Sequence, residues 1–105
     1  MESINMNELI SKVRGWASTA GLIGPNGKAT VASQHRKLIQ ERKEVDDALE
    51  SGTDTELALE IGDEIVCLIV LAERCGLTFE DCLLGAYEKI SNRTGKMVGE
   101  TYVKD

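Results

Sequence analysis

Two pairs of carboxylates, each spaced three residues apart, carry the strongest chemical signal in the sequence. Glu41 and Glu44 form the first pair, and Glu60 and Asp63 form the second. Residues three apart on an α-helix share one face, so two antiparallel helices could bring the pairs together across a cleft. Converging carboxylates need a cation, because each charge raises the cost of ionising its neighbours. Oxygen ligands select a hard ion, so the pattern predicts Mg²⁺ or Mn²⁺ rather than zinc or copper.

A solvated acidic helix face would produce the same spacing without any site. Two features favour the metal site. Glu56, Glu60 and Glu64 follow one another at four-residue steps with no base four residues after any of them, an arrangement that costs roughly 0.2–0.5 kcal/mol per like-charge pair. The second pair also directly precedes the apolar run 65–72, and acids beside a buried segment need a partner.

The acidity of the chain is local. The net charge is -6, yet residues 41–64 hold ten acids and two bases, and the other residues carry a net charge of +2. The absence of a basic patch and the low aromatic content (4%) exclude a nucleic-acid groove. The longest apolar run is too short to span a bilayer, and the N-terminal segment lacks the apolar core of a signal peptide. We therefore expect a cytoplasmic protein.

Cysteine spacing and the glycine-rich segment exclude two further kinds of site. Cys67, Cys75 and Cys82 contain no close CxxC pair, so zinc or redox chemistry is not indicated and buried free thiols are expected. The segment 21–27 resembles a phosphate loop, but a Walker A motif needs glycine where Leu22 stands.

Apolar periodicity and turn residues predict four helices, at about residues 6–20, 30–49, 55–74 and 79–92. Thr53 or Asp54 would cap the third helix and Thr78 the fourth. A short hairpin is predicted around Gly99 and Glu100. The expected fold is all-α, a single domain over residues 1–105 built as a four-helix-type bundle. A chain of 105 residues buries a modest core, so we expect oligomerisation to complete the bundle.

The third helix is apolar on all sides over residues 65–72, which predicts that it lies at the centre of the bundle. The fourth helix is expected to turn one apolar face inward. That face comprises Leu83, Leu84, Tyr87 and Ile90.

Cations near the predicted metal site would suit a phosphate-bearing substrate. Lys37 lies on the stripe of Glu41, one turn earlier. A second polar group follows at the end of the fourth helix, where favourable charge at a helix C-terminus is the simpler explanation. It comprises Lys89, Asn92, Arg93 and Lys96.

Segments 37–49 and 56–105 resemble the MazG-like all-α nucleoside triphosphate pyrophosphohydrolases. The family pattern is an E-x-x-E pair, a spacer and an E-x-x-D pair. The similarity extends from Gln34 and Lys37 to the tail, and a fainter similarity includes Trp16 and Ala17 upstream. The resemblance implies Mg²⁺-dependent hydrolysis of an NTP or dNTP to the monophosphate and pyrophosphate, in a homodimer or homotetramer whose paired subunits complete the active site. It implies metal binding by the four acids and substrate contacts by the cations and Asn92. The metal ligands would be Glu41, Glu44, Glu60 and Asp63, and the substrate contacts Lys37, Lys89, Asn92, Arg93 and Lys96.

Glu41 or Glu44 would act as the catalytic base, and their spacing does not separate the two. Gln40 departs from the resemblance, because many members carry Glu there. His35 points about 200° away from the Lys37 stripe, which favours a solvated or interface role over catalysis.

A di-iron bundle is disfavoured because neither acid pair is followed by the histidine it needs. A non-catalytic helical interaction protein with an acidic docking face is the remaining alternative.

Overall fold

The computed structural model describes residues 4–105, so the first three residues of the N-terminal segment lie outside the described residues. Four helices are followed by an antiparallel hairpin, close to the predicted boundaries. The helices are α1 (Met6–Thr19), α2 (Val31–Ser51), α3 (Asp54–Arg74) and α4 (Phe79–Ser91), and the strands are β1 (Gly95–Val98) and β2 (Thr101–Lys104). The prediction of a mostly helical chain with a hairpin tail is confirmed.

Each helix begins at a side chain that accepts a hydrogen bond from the backbone of the first turn. Asn5 caps α1, Thr30 caps α2, Thr53 caps α3 and Thr78 caps α4. Each cap satisfies an N–H group that has no partner within the helix. Of the two candidates for α3, Thr53 is therefore the cap, and the prediction for Thr78 is confirmed.

Helices α2 and α3 form an antiparallel pair around which the rest of the chain is arranged. Gln34 on α2 contacts Cys67 on α3, while Arg42, further along α2, contacts Glu64, nearer the start of α3. Because later positions on one helix meet earlier positions on the other, the two acid pairs come to the same region. The core at the far end of α3 comprises Cys67, Ile69, Val70 and Ala72, with Ile10 and Ala17 from α1.

Arg14 ties α1 to both α3 and α4. Its Nε lies 2.7 Å from Glu73 Oε1, and its terminal nitrogens donate to the carboxylate of Glu80. The loop between α1 and α2 is held to α3 by Arg74, whose Nη1 donates to Gly24 O at 3.4 Å. Gly24 has φ of 90°, a left-handed conformation that favours glycine.

The fourth helix differs from the prediction. Leu83, Leu84, Tyr87 and Ile90, expected to face inward, are all more than half exposed. Among residues 4–105, the backbone of α4 packs only against α3, and the hairpin packs against none of the helices. Two residues of the apolar run in α3, Ile65 and Leu68, are also about 40% exposed. The apolar face exists as predicted, but none of the residues that the structure describes covers it.

All three cysteines are free, but only Cys67 is buried. Cys75 and Cys82 are exposed, so the expectation of buried thiols is wrong for those two. Both line a groove of about 410 Å³ between α3 and α4, on the uncovered apolar face.

The helices within residues 4–105 fall short of the combination of length and apolar character that a membrane crossing requires.

Candidate metal centre and adjoining cavity

Carboxylate oxygens of Glu41, Glu60 and Asp63 all lie within 4.8 Å of one another. Glu41 projects from α2, and the other two project from α3 one turn apart. The antiparallel packing of two acid-bearing helices therefore brings three of the four predicted ligands together. Three carboxylates at this separation suit a hard divalent cation, because such ions take oxygen ligands and complete their shell with water or phosphate oxygens. The donor set therefore fits Mg²⁺ or Mn²⁺.

Glu44, the fourth predicted ligand, lies outside this group. It faces a small depression of about 180 Å³ at the α2–α3 turn, shared with Glu56 and Glu60. Its charge still acts on Glu60, whose pKa it helps to raise. Glu44 thus borders the three-carboxylate cluster.

The three acids at four-residue steps along α3 have different surroundings. Glu56 caps the helix, with its Oε2 accepting from Thr53 N, and Glu64 pairs with Arg42 at 2.6 Å. Glu60 has no ion pair within residues 4–105. Capping and ion pairing explain the outer two acids, and the central acid is left for the cluster.

The pKa of Glu60 is raised. Partial burial is the main cause, followed by the charges of Asp63, Glu44, Glu41 and Glu56. Without a cation, the negative charge of Glu60 is therefore unfavourable in the folded chain. A bound divalent ion would reverse that balance, because it compensates the same charges that raise the pKa.

Lys37 contributes the nearest cation to the cluster. Its Nζ lies 3.0 Å from Glu41 Oε1, and the Glu41 side chain is only 12% exposed. The pKa of Lys37 is raised, mainly by its hydrogen bond to Glu41 and by the charge of that carboxylate. Lys37 is therefore protonated at neutral pH and adds a positive charge beside the carboxylates.

A cavity of about 410 Å³ opens beside the cluster. Glu41 and Asp63 line it as well as belonging to the cluster, so the two are continuous. Away from the cluster the walls become mostly apolar. Those walls include Trp16, Leu22, Ala29, Cys67 and Val70. A smaller cavity, of about 350 Å³, lies beside Trp16 and is lined by Lys12 and Asp63.

The cations predicted at the end of α4 lie away from these cavities. Asn92 ends α4 and donates to Glu88 O, and Lys96 is exposed on β1. Neither they nor Lys89 and Arg93 line the cavity beside the carboxylates. Lys89, Arg93 and Lys96 form no ion pair with the carboxylates of the cluster within residues 4–105. Within one chain, the cluster and this cationic group are therefore not brought together.

His35 and Gln40 are exposed on α2 and line none of the described cavities near the cluster. This is consistent with the solvated role expected for His35.

Three cavity residues were not predicted as site residues: Gln34 and Cys67 line the larger cavity, and Lys12 lines the smaller one. Gln34 precedes Lys37 and Glu41 by three and seven residues, so it continues their stripe, and that spacing was a usable signal. The sequence gives no such signal for Lys12 or Cys67, because a lysine on a helix and a thiol in an apolar run also occur in many proteins where no functional site is present.

A search of the curated proteins gives no match to this chain. The family model for the MazG nucleotide pyrophosphohydrolase domain matches residues 29–98, which is two thirds of the chain. The matched segment contains α2, α3, α4 and every carboxylate of the cluster. The chain therefore belongs to the MazG nucleotide pyrophosphohydrolase family.

Proposed function

We propose that this protein hydrolyses a nucleoside triphosphate, NTP or dNTP, to the monophosphate and pyrophosphate with the help of Mg²⁺ or Mn²⁺. The observation that carries the proposal is the convergence of Glu41, Glu60 and Asp63 within 4.8 Å at the mouth of a cavity of about 410 Å³. The carboxylates would hold the ion beside the phosphates, and the cavity would accept the nucleoside.

Glu41, Glu60 and Asp63 are the proposed metal ligands, with Glu44 completing the set at its edge. A bound divalent ion supplies charge neutralisation of the triphosphate and activation of water at neutral pH. Lys37 would hold Glu41 in place through their 3.0 Å contact and present a positive charge toward the phosphates.

Glu44 is the better of the two candidate bases. Lys37 already pairs with Glu41, whereas Glu44 has no ion pair within residues 4–105. The Lys37 contact and the ion would together engage the oxygens of Glu41, whereas Glu44 lies at the edge of the cluster with an oxygen left for the attacking water. Glu44 would therefore take the proton of the attacking water as pyrophosphate leaves.

The substrate site is proposed to form between subunits of a homodimer or homotetramer. The radius of gyration is 16.2 Å, compared with about 13 Å for a compact domain of this length. The accessible surface is 8114 Å², compared with about 5800 Å² for a folded monomer of 11.5 kDa. An excess of roughly 2300 Å² is large enough for an obligate interface.

A second subunit would also account for the distant cations. Lys89, Asn92, Arg93 and Lys96 lie near the uncovered apolar face of α4, so covering that face with a second copy would carry them to another subunit. We propose that they contact the phosphates bound at the partner's carboxylates. The single domain over residues 1–105 would then be active only as part of the oligomer.

The test is a panel of canonical and modified NTPs and dNTPs incubated with the purified protein and Mg²⁺, with products separated by ion-exchange chromatography. The proposal expects equal amounts of monophosphate and pyrophosphate from at least one nucleotide. Release of orthophosphate and a diphosphate would contradict the proposed bond cleavage. Absence of turnover across the panel would favour the non-catalytic interaction protein.

A further inference from the structure

Gln34 is an unusual residue to find on the wall of the cavity, because it is polar and only 6% exposed. A buried amide normally has all its hydrogen-bonding groups satisfied. Its Nε2 donates to Cys67 Sγ at 3.1 Å and to Cys67 O at 3.5 Å. The contact with Cys67 O favours the orientation in which the amide nitrogen faces Cys67, since a carbonyl accepts only from the nitrogen side.

The other half of the amide is available. Within residues 4–105, no hydrogen bond reaches Gln34 Oε1. The only fully buried side-chain nitrogen or oxygen without a partner in that part of the chain is Arg74 Nε, so Gln34 Oε1 keeps some accessible surface. Gln34 lines the cavity, so this unpartnered acceptor belongs to a residue that an entering ligand would meet.

The position of Gln34 matches the base end of a bound nucleotide. Gln34 and Glu41 both line the cavity and are seven residues apart on α2, or about 10 Å along the helix axis. With the phosphates at Glu41 and Asp63, the sugar would pass Lys37 and the base would reach Gln34. Trp16 on the same cavity offers an aromatic surface to the base.

The neighbours of Gln34 on α2 are already occupied. Ser33 Oγ is engaged with Thr30 through the capping box of α2, and Lys37 pairs with Glu41. The N–H groups of the Gln34 amide are directed at Cys67, so the part of this side chain that remains for a ligand is an acceptor. Such a group binds an amine and repels a carbonyl, because two facing acceptors leave each other unsatisfied.

We propose that Gln34 determines base specificity by accepting a hydrogen bond from an exocyclic amine through Oε1. Cytosine and adenine carry that amine where uracil, thymine and hypoxanthine carry a carbonyl. Nucleotides of cytosine or adenine are then the preferred substrate class. Cys67 is a positioning residue that holds the amide with its oxygen toward the base. This inference rests on the proposed function for the orientation of the nucleotide.

The experiment compares pairs of nucleotides that differ only in this group, dCTP with dUTP and dATP with dITP. The kcat/KM of the protein with Mg²⁺ should favour the amine-bearing member of at least one pair by about tenfold or more. Gln34→Met, which keeps the length of the side chain and removes the acceptor, should bring that ratio close to one. Gln40→Met, at an exposed position on the same helix, is the matched control and should leave the ratio unchanged.

Equilibrium binding of dCMP and dUMP to the wild-type protein separates this inference from the proposed function and needs no turnover. Tighter binding of dCMP without any hydrolysis would sustain the role of Gln34 and contradict the catalytic proposal. Hydrolysis with equal preference within each pair would overturn the role of Gln34. An equal loss of turnover on all four nucleotides in Gln34→Met, with the ratio unchanged, would also overturn it.

Discussion

Lys37 Nζ lies 3.0 Å from Glu41 Oε1, at the point where the carboxylate cluster meets the cavity. The pair joins two adjacent turns of α2, and Asp63 of α3 also raises the pKa of this lysine. Lys37 therefore contacts one proposed metal ligand and shares the cavity wall with another. A positive charge held at this position can orient a ligand carboxylate and meet an incoming phosphate.

Replacing Lys37 with Met should lower kcat/KM by about 10- to 100-fold, the usual cost of losing a hydrogen bond to a charged group. Steady-state kinetics measure this effect. Lys43→Met is the matched control, since Lys43 pairs with Asp47 in the same i,i+4 arrangement at 3.8 Å but away from the cluster. Equal losses in the two variants would contradict a specific role for Lys37.

Glu60→Gln should stabilise the metal-free protein while removing its response to Mg²⁺. Burial and neighbouring charges raise the pKa of Glu60, so its contribution to stability is present below the unfolded-state pKa and is lost as pH rises through the folded-state pKa. At pH 7 the charge is unfavourable, and its removal should raise Tm. At a pH below the unfolded-state pKa, the wild-type and variant proteins should melt together.

Addition of Mg²⁺ should raise the Tm of the wild-type protein, since a ligand that binds only the folded state stabilises it, and should have little effect on Glu60→Gln. Glu64→Gln is the control, because Glu64 is one turn away and pairs with Arg42. It should lower Tm slightly and keep the Mg²⁺ response. An equal Mg²⁺ response in all three proteins would show that the ion binds elsewhere.

Arg14→Leu should destabilise the fold by about 1–3 kcal/mol, because two partly buried carboxylates on α3 and α4 lose a hydrogen-bonded charge. The Arg14 side chain is 21% exposed, so solvent screens the pair only in part. Urea denaturation followed by circular dichroism measures the change. Arg36→Leu, at an exposed position without an ion pair in residues 4–105, should change stability far less.

Mixing two inactive variants tests the proposed sharing of the site between subunits. Glu60→Gln lacks a proposed metal ligand, and Arg93→Ala lacks one of the cations at the end of α4 that are proposed to contact phosphates in the partner's site. Subunit exchange in a symmetric dimer would leave each mixed dimer with one intact site, so the mixture should recover about a quarter of wild-type activity. Recovery of activity requires that the subunits exchange. Co-purification of an untagged copy with a tagged copy would show that exchange has occurred. Exchange without recovery would place both residues in the same subunit's site.

Much of the secondary structure was predictable because local signals agree along the chain. Thr53, Thr78 and Gly99 mark two helix starts and a hairpin turn, and each lies where the sequence placed it. The convergence of Glu41, Glu60 and Asp63 was also predictable, since two short-linked amphipathic helices pack antiparallel. The three-residue spacing within each pair then places the carboxylates of α2 opposite those of α3.

Other features could not be read from periodicity. The apolar face with Leu83 and Tyr87 has the pattern of a core helix, yet both side chains are more than half exposed in the chain. A core face and a subunit interface bury the same residue types, so the pattern does not distinguish them. Glu44 has the same spacing from Glu41 as Asp63 has from Glu60, but it lies one turn nearer the end of α2 and lines the neighbouring depression.

The metal centre is tested by pyrophosphate release in the presence of Mg²⁺, measured for the wild-type protein, Glu60→Gln and Glu64→Gln side by side. We expect wild-type turnover that is abolished by chelation with EDTA and restored by added Mg²⁺. Glu64→Gln should remain active. Glu60→Gln should lose more than about 100-fold in activity. Removing a residue that only hydrogen-bonds to a metal ligand costs roughly 10- to 100-fold, and removing a ligand itself should cost more. Wild-type activity in Glu60→Gln, or full activity in EDTA, would contradict a metal centre formed by Glu41, Glu60 and Asp63.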